Sequence, residues 1–206
     1  MIILLGTSHI SPESMKSIRS VIEREKPDCV AVELDRARYA ALVSGKGRKP
    51  SGVFLKMISW MQKEMGKMTG MVPGEEMLEA VNFSRKSGIM VYLIDQDFSL
   101  TIRDIQAISP LEKTRLFLGA LLGSFAGKRF DLKKVPPRKM VKDALAYLKR
   151  SFPQVYEAIV VKRNEHMAFV LKELLKKHEK VLAVVGAGHI DGLKKLLKSE
   201  KLKIIG

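Results

Sequence analysis

The chain has 206 residues, 46% hydrophobic and 29% charged, which are the values of one globular domain with room for a large core. Its net charge of +15 points to an acidic partner, or else to a highly charged solvated surface. The single Cys29 excludes an internal disulfide and a metal site built from thiolates. In chain order, the apolar run Ile2 to Leu5 reads as a buried strand and leads into Gly6-Thr7-Ser8-His9. Helical periodicity follows from Pro12 to Glu25, with Ser11 as N-cap, Pro12 at the first helical position, and Met15, Ile18, Val21 and Ile22 on one face. Val30 to Val32 is a second strand, leading into Glu33-Leu34-Asp35, and a short helix spans Arg36 to Val43.

Residues 44 to 52 form a basic, glycine-containing loop without the GxxxxGK[ST] pattern of a P-loop. Phe54, Ile58, Met61, Met65 and Met68 then recur at a 4-3-4-3 spacing, so Val53 to Met71 is expected as a methionine-rich amphipathic helix. Such a stripe suits an ordinary core, a homodimer face or a surface that adapts to peptides. Glu75 to Ser87 is the next helix, closed by Gly88. Val91 to Ile94 is a third strand that runs into Asp95-Gln96-Asp97. Helices are predicted over Ser99 to Ile108, Pro110 to Ala126, Val141 to Arg150 and Gln154 to His178, with a basic connection at Gly127 to Lys139. That connection lacks the aromatic interleaving of nucleic-acid modules, so it reads as a solvated loop; nucleic acid is disfavoured as a partner, and peripheral contact with an anionic membrane is a further candidate. The last unit is a strand to Val185, the turn Gly186-Ala187-Gly188-His189, a helix over Asp191 to Glu200, and a strand over Leu202 to Ile205.

Gly-x-x-His therefore occurs twice, each time after a buried strand and before a helix. Strand–turn–helix units build parallel sheets, and ligands bind outside the carboxyl ends of such strands. The expected fold class is α/β: one domain over residues 1–206, a central, largely parallel sheet flanked by helices, with helical insertions at about 36–87 and 99–180. His9, Glu33, Asp95 or Asp97, and His189 then crowd one edge of the sheet. Each alone reads more readily as a cap or a loop residue. Together, two imidazoles and carboxylates form a ligand set for Zn, Mn, Fe or Co. Arg163 or Asn164, if turned inward from the long late helix, would join the crevice.

Five stretches carry a further likeness: Leu5-Gly-Thr-Ser-His-Ile-Ser11, Pro27-Asp-Cys-Val-Ala-Val-Glu-Leu-Asp-Arg36 with Arg38, Leu93-Ile-Asp-Gln-Asp97 with Arg103, Arg163-Asn-Glu-His-Met-Ala168, and Val184-Val-Gly-Ala-Gly-His-Ile-Asp-Gly-Leu193. Over nearly its whole length the chain resembles the TraB/PrgY family of pheromone-shutdown proteins, itself distantly similar to the Tiki metalloproteases and ChaN-like proteins. The resemblance implies a divalent metal, Mn or Co above all with Zn as a further candidate, on His9, Glu33 and His189, with Glu33 doubling as general base and Arg163 stabilising developing negative charge. It implies a metal-dependent hydrolase acting on peptides, or a non-catalytic module that sequesters a peptide or acidic ligand. One departure is Lys162, where the family has a glutamate before the arginine. Many members carry C-terminal membrane helices, whereas the longest apolar run here, Leu116 to Ala126, falls short of the roughly 20 residues that span a bilayer. The expectation is a soluble, cytoplasmic chain, either a short member or the soluble domain of a membrane-anchored protein.

Overall fold

The computed structural model describes residues 1–7, 12–45, 74–121 and 138–205. The expected methionine-rich helix, the basic loop at 46–52 and most of the connection after 126 lie outside the described residues, as do Ser11 and His9. Among the described residues five strands make one sheet: β1 (Ile2–Thr7), β2 (Cys29–Val32), β3 (Met90–Leu93), β4 (Val181–Gly186) and β5 (Leu202–Ile205). Their order is β3-β2-β4-β1-β5, and every pairing is parallel. β4 thus inserts between β1 and β2, which brings both Gly-x-x-His strands side by side with Thr7 opposite Gly186.

Strand alternation sorts the core into two layers. On one face Ile3, Leu5, Val30, Val32, Leu182 and Val184 meet Ile18, Val21 and Ile22 of α1 (Pro12–Glu25) and Met77, Ala80 and Val81 of α3 (Glu75–Lys86). On the other, Ile2, Leu4, Cys29, Ala31, Val181, Ala183 and Val185 meet a late helix and the last one. That late helix is α8 (Lys162–Leu175), contributing Met167, Ala168, Leu171 and Leu174, and the last is α9 (Ile190–Leu196), contributing Ile190 and Leu193. α3 and α8 lie within the two expected insertions, yet both pack directly on the sheet. Burial pushes the Cys29 thiol up to about 12, with the charge of Asp28 adding to the effect, so it is an inert core group.

The remaining described helices are α2 (Arg36–Ser44), α4 (Phe98–Ala107), α5 (Pro110–Leu121), α6 (Arg138–Ser151) and α7 (Pro153–Tyr156). α2 is capped by Asp35, whose side chain accepts from the N–H groups of Ala37 and Arg38, and it stops at Gly45, which takes a left-handed φ of 65°. Gly88, φ 72°, closes α3 as its position predicts. α6 begins at Arg138, three residues earlier than periodicity suggests, so Arg138 and Lys139 belong to a helix and not to the basic connection. The predicted single helix over 154–178 is interrupted: Glu157–Val161 winds as a π-turn between α7 and α8. No described helix is long and apolar enough to cross a membrane.

Candidate functional site at the carboxyl edge of the sheet

Glu33 follows β2 directly. Alternation from Cys29 and Ala31 sends its side chain to the α8–α9 face, where the core ends. Its backbone N–H still donates to Val184 O at 2.9 Å, so the residue is anchored by the sheet. Only 2% of it is exposed. A carboxylate buried to that degree needs ionic and hydrogen-bonding partners to offset lost hydration. Gly186 N–H donates to Oε2 at 2.6 Å, Arg163 Nη2 makes a short contact with Oε1, and His189 Nε2 stands 3.2 Å from Oε1.

Arg163 comes from the first turn of α8, just after the π-turn. Its Nε and Nη2 bond both oxygens of Asp95 at 2.9 and 2.8 Å, and its Nη1 returns to the Ile159 carbonyl of the π-turn at 3.3 Å. Burial alone pulls the guanidinium pKa down. The charges of Glu33 and Asp95, with their hydrogen bonds, outweigh this and hold it above its usual value. Asp95 also accepts from Arg38 Nη1 at 3.1 Å and from Gln96 N–H at 3.0 Å. Four residues from α2, α8 and two strand ends thus form one chain, Arg38–Asp95–Arg163–Glu33.

His189 sits in a 3-10 turn, Ala187–His189, between β4 and α9. Its Nδ1 faces Asn164 Oδ1 at 2.7 Å. Asn164 is buried and lies against Gly192 of α9, where an added Cβ would come within 2.2 Å of its Nδ2. Only glycine at 192 lets this helix approach so closely, and the approach seats Asn164 under the histidine.

Three sequence-predicted residues, Glu33, Arg163 and His189, therefore converge, and His9 lies outside the described residues. Of the alternative acids, Asp95 joins the cluster. Asp97 is exposed and caps α4 by accepting Ser99 N–H at 2.8 Å. Asn164 also turns inward, as the sequence allowed, but nothing in composition or spacing names His189 as its partner. A second feature without a sequence signal is Glu76, fully buried at the start of α3 and accepting through Oε1 from Thr7 Oγ1 at 2.6 Å.

The donor set fits a divalent cation. If Asn164 Oδ1 takes the Nδ1 proton, Nε2 presents a lone pair to a carboxylate oxygen 3.2 Å away. Two acceptors at that distance need a cation or a second proton between them. Donors bound to one ion at about 2.1 Å stand about 3.0–3.4 Å apart for angles of about 90–110°, which brackets the observed separation. Orientation of a ligand histidine through its other ring nitrogen is the usual outer-shell arrangement of metal sites. Beyond the pair, Asp35 Oδ2 has no hydrogen-bond partner among the described residues and stands 4.0 Å from Arg38 Nε. No ready-made group of three or more His, Cys, Asp and Glu occurs among the described residues, so a third protein donor would come from beyond them.

A model of the TraB/PrgY/gumN family matches residues 1–204. An uncharacterized protein of Methanocaldococcus jannaschii is 33% identical over 215 residues, covering 96% of this chain and 53% of that protein. The TraB domain-containing proteins of Homo sapiens and Mus musculus are each 24% identical over 230 residues, covering 93% of this chain and 61% of their own length. The chain thus spans between half and two thirds of the curated relatives it matches.

Proposed function

This chain belongs to the TraB/PrgY/gumN family, and on that footing we propose that it is a metal-dependent hydrolase acting on peptides. The observation that carries the reading is the His189–Glu33 pair, 3.2 Å apart, with the far side of the imidazole fixed by Asn164. His189 and Glu33 would hold the ion together with His9, and Mn or Co is the expected metal, with Zn also suited to the donors. When bound, such an ion supplies Lewis acidity and lowers the pKa of water from 15.7 toward roughly 7.

The chain's own residues do the rest. Glu33 receives the proton that the attacking water loses, the general-base role. Gly186 N–H holds Oε2 and Arg163 Nη2 holds Oε1, which fixes the carboxylate facing His189. Arg163 pairs with Glu33 and aligns it. Its nitrogens are taken up by Asp95, Glu33 and the Ile159 carbonyl, which favours a positioning role over direct contact with developing charge. Asp95 and Arg38 in turn stop Arg163 from swinging away.

The second reading is a module that sequesters a peptide or acidic ligand without turnover. It is favoured by the saturation of Glu33, which already has Gly186, Arg163 and His189 around it. Contact of the basic surface with anionic membrane, and a homodimer through the methionine-rich stretch, belong to either reading as proposals. The test is elemental analysis of protein purified without chelator, followed by peptide-library turnover with added Mn or Co. The hydrolase reading expects about one ion per chain, its loss in His9→Ala and His189→Ala, and turnover that needs the metal. Metal-free protein that binds peptide without cleaving it would replace that reading with the sequestering one.

A further inference from the structure

Glu76 lies outside the cluster just described, on the opposite layer of the sheet, and 0% of it is exposed. It occupies the first turn of α3, where the helix dipole favours an anion. Burying a carboxylate next to the core residue Met77 costs hydration, and the helix dipole and the Thr7 hydroxyl are among the groups that offset it. Such a group is expected where it holds something in place.

What it holds is the end of β1. Thr7, itself 1% exposed, gives its hydroxyl to Glu76 Oε1 at 2.6 Å, while the Val185 carbonyl is a more distant alternative at 3.4 Å. Thr7 is the last residue of β1 and pairs in register with Gly186. Gly186 N–H is the donor that fixes Glu33 Oε2 at 2.6 Å. The steps Glu76–Thr7–Gly186–Glu33 therefore cross the sheet from the α3 layer to the α8 layer, through the paired ends of the two strands that precede the Gly-x-x-His turns. We infer that Glu76 is a positioning residue for the site: by tying Thr7 down it sets the register of the β1 and β4 ends, and with it the placement of Gly186 N–H against Glu33. A hydroxyl-to-carboxylate bond does this more firmly than backbone pairing alone, because strand ends fray and a charged acceptor makes the stronger hydrogen bond.

This inference rests on Glu33 and His189 being the working pair, yet it can be tested without metal or substrate. The experiment is amide and imidazole NMR on labelled, chelator-treated protein, with hydrogen exchange at Gly186. Glu76→Met and Thr7→Val remove the bond at nearly constant volume. Glu76→Gln and Thr7→Ser keep an acceptor and a hydroxyl. In the first two, the Gly186 amide and the His189 ring signals should shift, and Gly186 should exchange about tenfold faster, the loss of one charge-assisted hydrogen bond. In the second two, both should stay at wild-type positions. Signals of Gly88 and His178, far from the link, should not move in any variant. Unmoved Gly186 and His189 signals in folded Thr7→Val would overturn the inference, and so would shifts spread over the whole spectrum. If Glu76→Met does not fold, Thr7→Val, the gentler change, decides alone. Absence of metal or of turnover would sink the hydrolase reading and leave this result standing.

Discussion

The two edges of the sheet both carry ion pairs, and they differ in what surrounds them. At the amino edge, Glu25 accepts from Lys203 at 2.8 Å and from Arg24 at 2.9 Å, while Lys180 reaches the Glu25 carbonyl and its N–H meets Asp28. Glu25 is itself largely covered, at 9%, but its partners Lys203 and Arg24 are about half exposed, at 48% and 58% of their side chains. At the carboxyl edge, Glu33 and Asp95 are buried, and Arg163 is only 15% exposed. Exposed pairs form at little cost and contribute little, since water and salt compete for both partners. Buried pairs cost several kcal/mol per ion in lost hydration and are weak stabilisers even when well made. A fold seeking stability alone would place apolar residues at the carboxyl edge. Charges retained there, at the strand ends where parallel sheets bind ligands, mark that edge as the working one.

Removing one member from each edge should separate the two by a wide margin. The largest loss is expected for Arg163→Met, which strands Glu33 and Asp95 in a buried site without their shared cation. Breaking a buried pair from one side costs about 3–5 kcal/mol, so chemical denaturation should show most of the chain's stability margin gone. A variant as stable as wild type would mean that water reaches these carboxylates freely, and the contrast between the edges would collapse. Glu33→Gln comes next. It keeps the shape of the side chain and its contact with Gly186, so melting should change far less than in Arg163→Met. Metal-dependent peptide turnover should fall by about 100-fold, the contribution of a general base. Equal turnover in the folded variant would remove Glu33 from the chemistry and leave it as a partner of Arg163.

Gly192→Ala sharpens the comparison from the packing side. Its new methyl group would lie 2.2 Å from Asn164 Nδ2, so α9 or Asn164 has to move. Overpacking of this kind costs about 1–3 kcal/mol. The His189 ring signal should shift with it, because Asn164 holds Nδ1. Asn164→Ala in the same chain should recover stability but not the histidine's position. If Gly192→Ala leaves both melting and the His189 signal unchanged, the seat of Asn164 is softer than the contact implies.

Much of this was legible beforehand, for physical reasons that differ by residue. Runs such as Val181 to Val185 are apolar at every position, which is the mark of strands buried on both faces, and every pairing among the described strands is indeed parallel. The helical period of Ile18, Val21 and Ile22 gave both α1 and its inward face. Glu33 and His189 were readable because a strand end fixes where the next side chain goes. Asp95 and Asp97 could not be told apart, since the choice depends on which one Arg163 reaches from α8. The π-turn at 157–161 carries no local signal, and it governs how Arg163 and Asn164 present themselves. Glu76 was invisible for a plainer reason. An acid in the first turn of a helix is ordinary on the surface, and only the packing of α3 over the end of β1 makes it a buried one. The strand order, with β4 between β1 and β2, is likewise a property of the assembled chain and not of any segment.

The smallest effect belongs to the amino edge, and its pH dependence is what identifies it. Hydrogen bonds from Lys203 first, and from Arg24 second, hold the Glu25 carboxyl below its ordinary 4.5. A carboxyl whose folded pKa is depressed stabilises the fold above the unfolded value and loses that contribution as pH falls through the folded one. Lys203→Met should therefore melt slightly below wild type at neutral pH. The gap should narrow as pH drops under 4.5, because protonated Glu25 no longer distinguishes the two chains. Added salt should narrow it as well, since Lys203 is half exposed. Arg163→Met behaves differently under the same salt series, because its partners are shielded from ions by the protein itself. A Lys203→Met deficit that persists unchanged at low pH and high salt would show that the lysine acts through the packing of its alkyl chain on β5, and the ionic account of that edge would have to be dropped.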